Sequence, residues 1–385
     1  MQENSLLTDT EINKALAQQN IEHSVISRGL EKFKLPSGQE LAVATVDMPW
    51  PPYDPNLVFI LGDEVTLVDV GPPMYSAFAD LVRAMDLLDP QYQVYDRLKS
   101  IVITHAHFDH WGSLQSLVDR LMEGRTEPIS VYCHAYDSDV VVPTEASMHQ
   151  DQSSQMDFSL SAGLGTGSPF HHHHPHHGTS PETFELITPE EGDTVSGYEI
   201  IHLPGHSPGC IGVRVDNVVI AGDAILYKET PNTSSEMFHE YSGLAHMIAS
   251  YYRLAKIGKQ APIAIGGHGK IIPNLRKKAM ENLEFHSDRL AKIYHTARNA
   301  RTDEMTGWQI ADAYFSGNGR PLEGFSQYMG TVETVSHLEV GCRIGLFSVR
   351  TESQNGAMVH LYRAIPVSDV RSTIDSGFEG YRSGI

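Results

Sequence analysis

Short hydrophobic runs separated by turn-forming residues recur along the first part of the chain. Each run is rich in Val, Ile and Leu and is bounded by Gly, Pro, Asn or Asp, a pattern that predicts β-strands. Within one run, Asp216 and Asn217 interrupt the hydrophobic residues and predict a tight hairpin. The predicted strands lie at residues 56–62, 64–71, 100–105, 129–134, 198–205, 211–223 and 261–269.

Segments with helical spacing of apolar residues lie between these strands. We predict helices over Tyr75 to Leu88, Ser113 to Met122 and Leu244 to Ile257. Strands that alternate with helices in this way predict layered sheets with helices on the outside.

The pattern changes after His268. Alternation of residues on either side of Asn355 and Gly356 predicts a β-hairpin near the carboxy terminus. The predicted elements are three helices, within 275–298, 302–315 and 331–345, followed by the hairpin over 346–364. A Thr or Asp caps the second helix, and the third ends near Gly341. The order helix, helix, helix, hairpin predicts a small winged-helix-like domain over residues 276–385, preceded by a larger domain over residues 1–275.

Composition and charge restrict the class of partner. Of the 385 residues, 41% are hydrophobic and 20% are charged, as in ordinary soluble globular proteins. The formal net charge is −20, and residues 276–385 hold 13 basic and 13 acidic residues. The whole acidic excess therefore lies in residues 1–275, with 15 basic and 35 acidic residues. Because binding to phosphates depends on clustered Lys and Arg, this distribution disfavours a nucleic acid as partner.

Cysteine spacing and the amino terminus indicate the cellular setting. Cys133, Cys210 and Cys342 are far apart and show no CxxC spacing, so we expect free thiols rather than a disulfide framework or a thiolate zinc site.

The first residues lack a basic segment followed by an apolar one, and no apolar run approaches the roughly 18 residues of a membrane span. These features predict a cytoplasmic protein without a membrane segment.

The stretch Thr104-His-Ala-His-Phe-Asp-His110 directly follows a predicted strand. His105 and His107 are two residues apart, so in extended chain they point to one side, and Asp109 and His110 follow as the chain turns into a helix. Imidazole and carboxylate groups together form the ligand set that borderline divalent metals prefer. These four side chains are therefore candidate metal ligands.

This stretch resembles the THxHxDH signature of the metallo-β-lactamase superfamily, in which three further ligands follow on later strand ends. The candidates are His206 in "LPGHSPGC", Asp223 in "VIAGDAIL" and His268 in "IGGHG". The resemblance covers roughly residues 40–272 and implies an α+β fold, an αββα sandwich, for the domain over residues 1–275, which would be catalytic. His202 is the nearest rival ligand, but it falls inside a predicted strand, so we expect it to pack in the core.

The resemblance implies two divalent metal ions, with zinc favoured and iron or manganese as alternatives. His105, His107 and His206 would hold the first ion, and Asp109, His110 and His268 the second, with Asp223 bridging them. Such a pair of ions makes hydroxide available at neutral pH, so the expected reaction is hydrolysis. Asp109 would orient the attacking hydroxide or accept its proton. Tyr227 is a candidate oxyanion donor, although a packed aromatic residue is the stronger interpretation, and we expect Trp111 to support helix packing.

The substrate class is less well defined by the sequence. A small acyl compound is favoured, with a coenzyme A or carrier-bound thioester first and a lactone or other ester second. A metal-dependent endoribonuclease is the alternative, and a non-hydrolytic di-iron redox enzyme is third. The sequence leaves the oligomeric state open, with a homodimer among the options.

Residues 144–182 form an insertion rich in Ser, Gly, Met, Gln and His. It contains the run "FHHHHPHHG" over residues 170–178. Adjacent histidines on a loop offer no preorganised coordination sphere, so we expect a solvated loop first, a substrate lid second and a metal-loading segment third. The residues that would suit an apolar lid are Met148, Met156, Phe158 and Phe170.

Overall fold

The computed structural model of the chain describes residues 8–49, 53–142, 155–164, 179, 182–354 and 357–384. Within these residues, three β-sheets and a series of helices form a mixed α+β fold. None of the helices in the described part of the chain is long and apolar enough to cross a membrane.

The first sheet has eight strands, and their order in the sheet follows the sequence from β1 to β8. Neighbours from β1 to β5 are antiparallel, whereas those from β5 to β8 are parallel. The strands are β1 (Glu22–Ser27), β2 (Leu30–Lys34), β3 (Glu40–Thr45), β4 (Asn56–Leu61), β5 (Val65–Val68), β6 (Leu98–Ile103), β7 (Ile129–Cys133) and β8 (Phe184–Ile187).

The second sheet has five strands in the order β13, β12, β11, β10, β9. The predicted hairpin is confirmed, because Val215 pairs with Val218 across a two-residue turn in which Asp216 adopts a left-handed φ of 51°. The strands are β9 (Thr194–Val195), β10 (Tyr198–His202), β11 (Ile211–Val215), β12 (Val218–Gly222) and β13 (Ile263–Gly266).

Three apolar layers hold the sheets and helices together. The two sheets face each other across a buried layer to which Leu41 and Ile60 contribute from one side and Val213 and Ile265 from the other. Helices α2 and α5 cover the outer face of the first sheet, and α8 and α9 cover that of the second. The order helix, sheet, sheet, helix confirms the expected sandwich. The helices up to residue 298 are α1 (Asp9–Gln18), α2 (Tyr75–Tyr92), α3 (Val94–Arg97), α4 (Phe108–Trp111), α5 (Leu114–Met122), α6 (Ala135–Val141), α7 (helical residues 155–161), α8 (Leu244–Ile257) and α9 (Leu275–Arg298).

The region after α9 contains the predicted helices and hairpin with shifted boundaries. The second helix begins at Gly307 because the side chains of Thr306 and Gln309 form a reciprocal capping box. The third begins at Phe325 rather than Thr331, and its residues 330–338 are buried on all sides, so no amphipathic stripe defines the bounds of the helix. The elements are β14 (Met305–Thr306), α10 (Gly307–Gly317), α11 (Phe325–Arg343), β15 (Phe347–Gln354), β16 (Ala357–Ala364), α12 (Val370–Gly380) and a final 3₁₀ turn (Tyr381–Gly384).

The carboxy-terminal helices share one apolar core with the second sheet. Leu338 of α11 and Phe378 of α12 belong to the same buried cluster as Tyr251 and Leu254 of α8. The strands β14, β16 and β15 form a separate three-stranded sheet. The division of the chain between residues 275 and 276, and the likeness of this region to a winged helix, stay predictions.

The described part of the insertion packs against the carboxy-terminal region. Phe158 of α7 is fully buried among Tyr328, Val332 and Val335 of α11. Its ring also lies 5.0 Å from the ring of Phe238. Of the other predicted lid residues, Met156 is half-buried, whereas Met148, Phe170 and the histidine run lie outside the described residues.

Candidate metal centre

The first four candidate ligands lie where β6 leaves the first sheet. The strand ends at Ile103, and α4 begins at Phe108. The rings of His105 and His110 are buried, the side chain of Asp109 is half-buried, and His107 is exposed. The carbonyl oxygen of His110 accepts a hydrogen bond from the backbone N–H of Val70 (2.8 Å), which fixes α4 against the end of β5.

The other three candidate ligands follow strands of the second sheet. His206 lies after β10, Asp223 after β12 and His268 after β13, so all seven residues gather at one edge of the sandwich. Gly267 is required there, because a Cβ at this position would collide with the carboxylate of Asp223 and lie 2.6 Å from the ring of His110.

Three ring nitrogens converge in the first group. Nε2 of His105 lies 3.1 Å from Nδ1 of His107, and Nε2 of His206 lies 2.9 Å from the same Nδ1. A neutral ring nitrogen carries one hydrogen or one lone pair, so Nδ1 of His107 cannot pair with both neighbours through hydrogen bonds. Metal–nitrogen bonds of about 2.0–2.1 Å give tetrahedral edges of about 3.3 Å. The separations therefore fit three ligands of one ion.

The second group combines two rings and a carboxylate. Nε2 of His268 lies 3.3 Å from Nε2 of His110 and 3.3 Å from Oδ2 of Asp109. Nε2 of His110 lies 3.8 Å from the same carboxylate oxygen. These three atoms also fit the edges of one coordination polyhedron.

Asp223 lies between the two groups. Its Oδ2 is 3.6 Å from Nε2 of His206 in the first group and 3.4 Å from Nε2 of His268 in the second. Its Oδ1 is buried and has no hydrogen-bond partner among the described residues, although Nε2 of His110 lies 3.6 Å away. A buried carboxylate oxygen without a donor fits a site built for a cation.

Two ligand rings are oriented by hydrogen bonds from their outer nitrogens. Nδ1 of His110 donates to Oδ2 of the buried Asp69 (2.8 Å), and Nδ1 of His206 donates to the carbonyl oxygen of Asn232 (2.8 Å). Both bonds leave Nε2 unprotonated in the neutral ring and free to bind a metal. Asp69 also accepts from the backbone N–H and the hydroxyl of Thr104, each at 2.8 Å. Asp69 was not predicted as a site residue, because a single aspartate near the end of the hydrophobic run at 64–71 carries no ligand motif.

A family model described as the metallo-beta-lactamase superfamily matches residues 50–285. The chain belongs to this superfamily. The probable metallo-hydrolase YflN of Bacillus subtilis is 25% identical over 279 residues, which cover 69% of this chain and 94% of the relative. Membership and the His/Asp groups together indicate a metal-dependent hydrolase that binds divalent metal ions.

Solved structures show the same fold. The metallo-beta-lactamase family protein TTHA1429 from Thermus thermophilus has a TM-score of 0.61 and 22% identity, covering 84% of this chain and 98% of the other. A beta-lactamase domain protein from Burkholderia ambifaria has a TM-score of 0.66 and 18% identity, covering 89% and 94%. Both cover most of this chain, including part of the region after residue 285.

The electrostatics of this superfamily site favour bound positive charge. Burial opposes a charge on the two rings of the second group, but the nearby carboxylates outweigh it. Asp69, Asp109 and Asp223 raise the pKa of His110 to about 9, and Asp223 and Asp109 raise the pKa of His268 to about 11. Without metal, two protonated rings therefore offset the cluster of carboxylates, and bound divalent metal ions can take the place of these charges.

The first group is electrostatically different. Burial and the neighbouring rings of His110 and His107 hold the pKa of His105 well below its usual range. This ring is therefore neutral at physiological pH and able to coordinate a metal without first losing a proton.

The other candidates lie outside the ligand groups. Tyr227 is half-buried and packs against two of the apolar clusters, so its role as an oxyanion donor stays a prediction. His202 is half-buried, with its ring stacked 4.2 Å from that of His134 and its Nε2 donating to the carbonyl oxygen of Pro208 (2.9 Å). The buried Trp111 packs in the core beneath the first sheet, as expected. Among the described residues, the groups close enough to hold a metal contain no cysteine.

Proposed function

We propose that this protein is a hydrolase with two divalent metal ions that cleaves a small acyl substrate, with a coenzyme A or carrier-bound thioester as the first choice. A lactone or another ester is the second choice within the same reaction class. The observation that carries the proposal is the placement of the Asp223 carboxylate between two groups of ligand atoms. Its Oδ2 lies within 3.6 Å of His206 and within 3.4 Å of His268.

In this proposal, His105, His107 and His206 hold the first ion. Asp109, His110 and His268 hold the second, and Asp223 bridges the pair. The ions would lower the pKa of a bound water and polarise the acyl oxygen when they are present. The carboxylate of Asp109, which projects from α4 toward His268, would orient the attacking water and accept its proton.

Tyr227 is the proposed donor to the acyl oxygen. It follows Asp223 by four residues, and its Cβ lies 3.7 Å from the position that a Cβ on Gly269 would occupy, just beyond His268. Its hydroxyl would hydrogen-bond to the oxygen on which negative charge develops. Tyr227→Phe removes this donor and keeps the packed ring, so kcat is expected to fall by about 10- to 100-fold while the metal content stays unchanged.

The acidic surface supports an acyl substrate over RNA. Residues 1–275 carry 35 acidic and 15 basic residues, and this part of the chain contains all seven proposed ligands. A polyanion would have to approach against this excess of negative charge, because nucleic-acid affinity depends mainly on Lys and Arg. A lactone or simple ester carries no such penalty, and the phosphates of coenzyme A are few and remote from the thioester bond.

The experiment compares three substrates with the metal-loaded full chain. Acyl-CoA is supplied with a thiol reagent, a lactone with a pH indicator, and RNA as a labelled single strand. Thioester turnover that disappears in Asp109→Asn, without turnover of RNA, supports the proposal. RNA cleavage without acyl hydrolysis would establish the endoribonuclease alternative, and oxygen-dependent chemistry without hydrolysis would establish the di-iron redox one.

A further inference from the structure

A buried carboxylate outside the ligand set joins two of the loops that carry ligands. Asp137 lies in the first turn of α6 and is 1% exposed. Its Oδ2 accepts hydrogen bonds from the backbone N–H of Ala106 (2.8 Å) and the hydroxyl of Ser207 (2.6 Å). Its Oδ1 accepts a third from the backbone N–H of Gly209 (2.8 Å).

The donors adjoin all three ligands of the first group. Ala106 stands between His105 and His107, and Ser207 directly follows His206. The two backbone segments come from different sheets, since one leaves β6 and the other leaves β10. The carboxylate of Asp137 therefore holds both segments at once, in addition to the contacts between the ligand atoms themselves.

We infer that Asp137 is a positioning residue that sets the distance between the His105–His107 loop and the His206 loop, and thereby the affinity for the first metal ion. This inference rests on the two-metal assignment proposed above. Asp137 does not reach the ligand atoms, so it acts only through the backbone and the hydroxyl that it holds.

Only a carboxylate satisfies this position. All three contacts are donors, so the group between them must accept at both of its terminal atoms. An asparagine would direct its NH₂ at one or more of these N–H or O–H groups and leave the buried donor unpaired. Burial raises the pKa of Asp137, whereas the hydrogen bonds from Ser207, Gly209 and Ala106 favour its ionised form.

The loop after His206 is shaped around this carboxylate. A Cβ on Gly209 would lie 2.6 Å from Cγ of Asp137, so glycine is required for the close approach. Ser207 fills the other side, and its hydroxyl hydrogen is used for Asp137. The serine and the glycine that follow His206 in "HSPG" are therefore explained by their contacts with Asp137 rather than by metal binding.

The second ligand group has its own support, which Asp137 does not touch. His110 is held by Asp69, and the donors to Asp137 do not adjoin Asp109 or His268. An effect confined to the first ion therefore distinguishes positioning of one group from a general loss of stability.

The test isolates each ion in turn in the full-length chain. His268→Ala removes a ligand of the second group and leaves the first group intact, whereas His206→Ala does the converse. Asp137→Asn is then introduced into each background, and the dissociation constant for Zn²⁺ is measured by competition with a chelator. Co²⁺ in the same backgrounds reports ligand geometry through its visible absorption spectrum.

We expect Asp137→Asn to weaken Zn²⁺ binding about 10- to 100-fold in the His268→Ala background and by less than about threefold in the His206→Ala background. The Co²⁺ spectrum should change only in the first of these. Equal weakening in both backgrounds, or none in either, would overturn the inference.

Two milder variants keep the inference testable where Asp137→Asn does not fold. Ser207→Ala removes one donor, and Gly209→Ala displaces the carboxylate, and both should weaken only the first ion. Asp375→Asn is the control, because Asp375 of α12 also accepts from a serine hydroxyl (Ser287, 3.2 Å), and neither residue lies in a loop that carries or supports a candidate ligand. It should leave both dissociation constants within about threefold of their values in the parent background.

Failure of the proposed function gives a different result. A wild-type chain that binds no metal would overturn that proposal and this inference together. A wild-type chain with two ions whose affinities do not respond to Asp137→Asn would overturn the inference alone.

Discussion

Nδ1 of His110 donates to Oδ2 of Asp69 over 2.8 Å, and both side chains are almost completely buried. The bond fixes the tautomer in which Nε2 is free to bind a metal. Asp69→Asn would present either an amide oxygen or an NH₂ group to this ring and disturb its orientation. We expect metal affinity at the second group to fall about 10- to 100-fold, measured by chelator competition. An unchanged affinity would show that α4 alone orients the ring.

Asp223 is the residue on which a two-metal site depends. Asp223→Ala removes the shared anionic ligand and leaves two cations facing each other without it. We expect fewer than two ions per chain and a loss of activity of at least about a hundredfold, measured by elemental analysis and steady-state kinetics. Glu185→Ala, on the exposed side of β8, provides the control for removal of one carboxylate. Full activity with one ion per chain would contradict the two-metal assignment.

The sequence identified the site residues whose signal is local. The candidate ligands lie in short motifs at the ends of hydrophobic runs, and the structure brings all seven together. Asp69 and Asp137 lacked such a signal, because Asp69 meets Thr104 across 35 positions and Asp137 meets Ser207 across 70. Contacts at such separations arise from the fold and leave no periodic pattern in the chain.

The same limit applies to the secondary structure. The strands β4 and β12 are buried on both faces, appear in the sequence as continuous hydrophobic runs and were predicted, whereas β3 is similarly buried and was missed. The strand β1 was missed because it lies at the edge of the first sheet and is exposed along most of its length. Pairing with β2, rather than its own hydrophobicity, makes it a strand.

The metal-free protein should lose stability as the pH rises. The folded pKa of His110 is about 9 and that of His268 about 11, both above the value of 6.5 for a free histidine. Protonation of these rings therefore stabilises the folded state fully below about pH 6.5, and the contribution of His110 is lost as the pH approaches 9. Thermal unfolding of chelator-treated protein between pH 6.5 and 9 measures this decline.

Bound metal provides the control for this pH dependence. The ions replace the protons on both rings, so the decline should disappear when the protein is saturated with Zn²⁺. A melting temperature of the metal-free protein that stays constant between pH 6.5 and 9 would contradict the assignment of raised pKa values to these two residues.

The histidine run is expected to be dispensable for the metal centre. All seven proposed ligands lie on α4 or within four residues of the end of a strand, whereas the run over residues 171–177 contributes none of them. Replacing His171 to His174 together with His176 and His177 by Ser should leave two tightly bound ions per chain, measured by elemental analysis after dialysis. Loss of these ions in the variant would show that the run belongs to the coordination sphere.

Phe158 offers a direct test of how the insertion is used. The ring is fully buried, and it lies 5.9 Å from the ring of Tyr328 on α11 and 5.0 Å from that of Phe238. Phe158→Ala leaves a cavity, so we expect the free energy of unfolding to fall by about 3–5 kcal/mol in chemical denaturation. Phe158→Leu retains most of the apolar volume and should lose much less.

The kinetic effect of Phe158→Ala depends on where its ring partner Phe238 lies in the chain. Phe238 belongs to the same loop as Asn232, whose carbonyl oxygen holds the ring of His206. If the insertion covers the substrate, Phe158→Ala should raise KM for long-chain acyl thioesters more than for a small activated ester, because a lid acts through binding and exclusion of water. Unchanged kinetic constants for every substrate would make the insertion a passive tether. Loss of both ions would instead make it part of the scaffold of the metal centre.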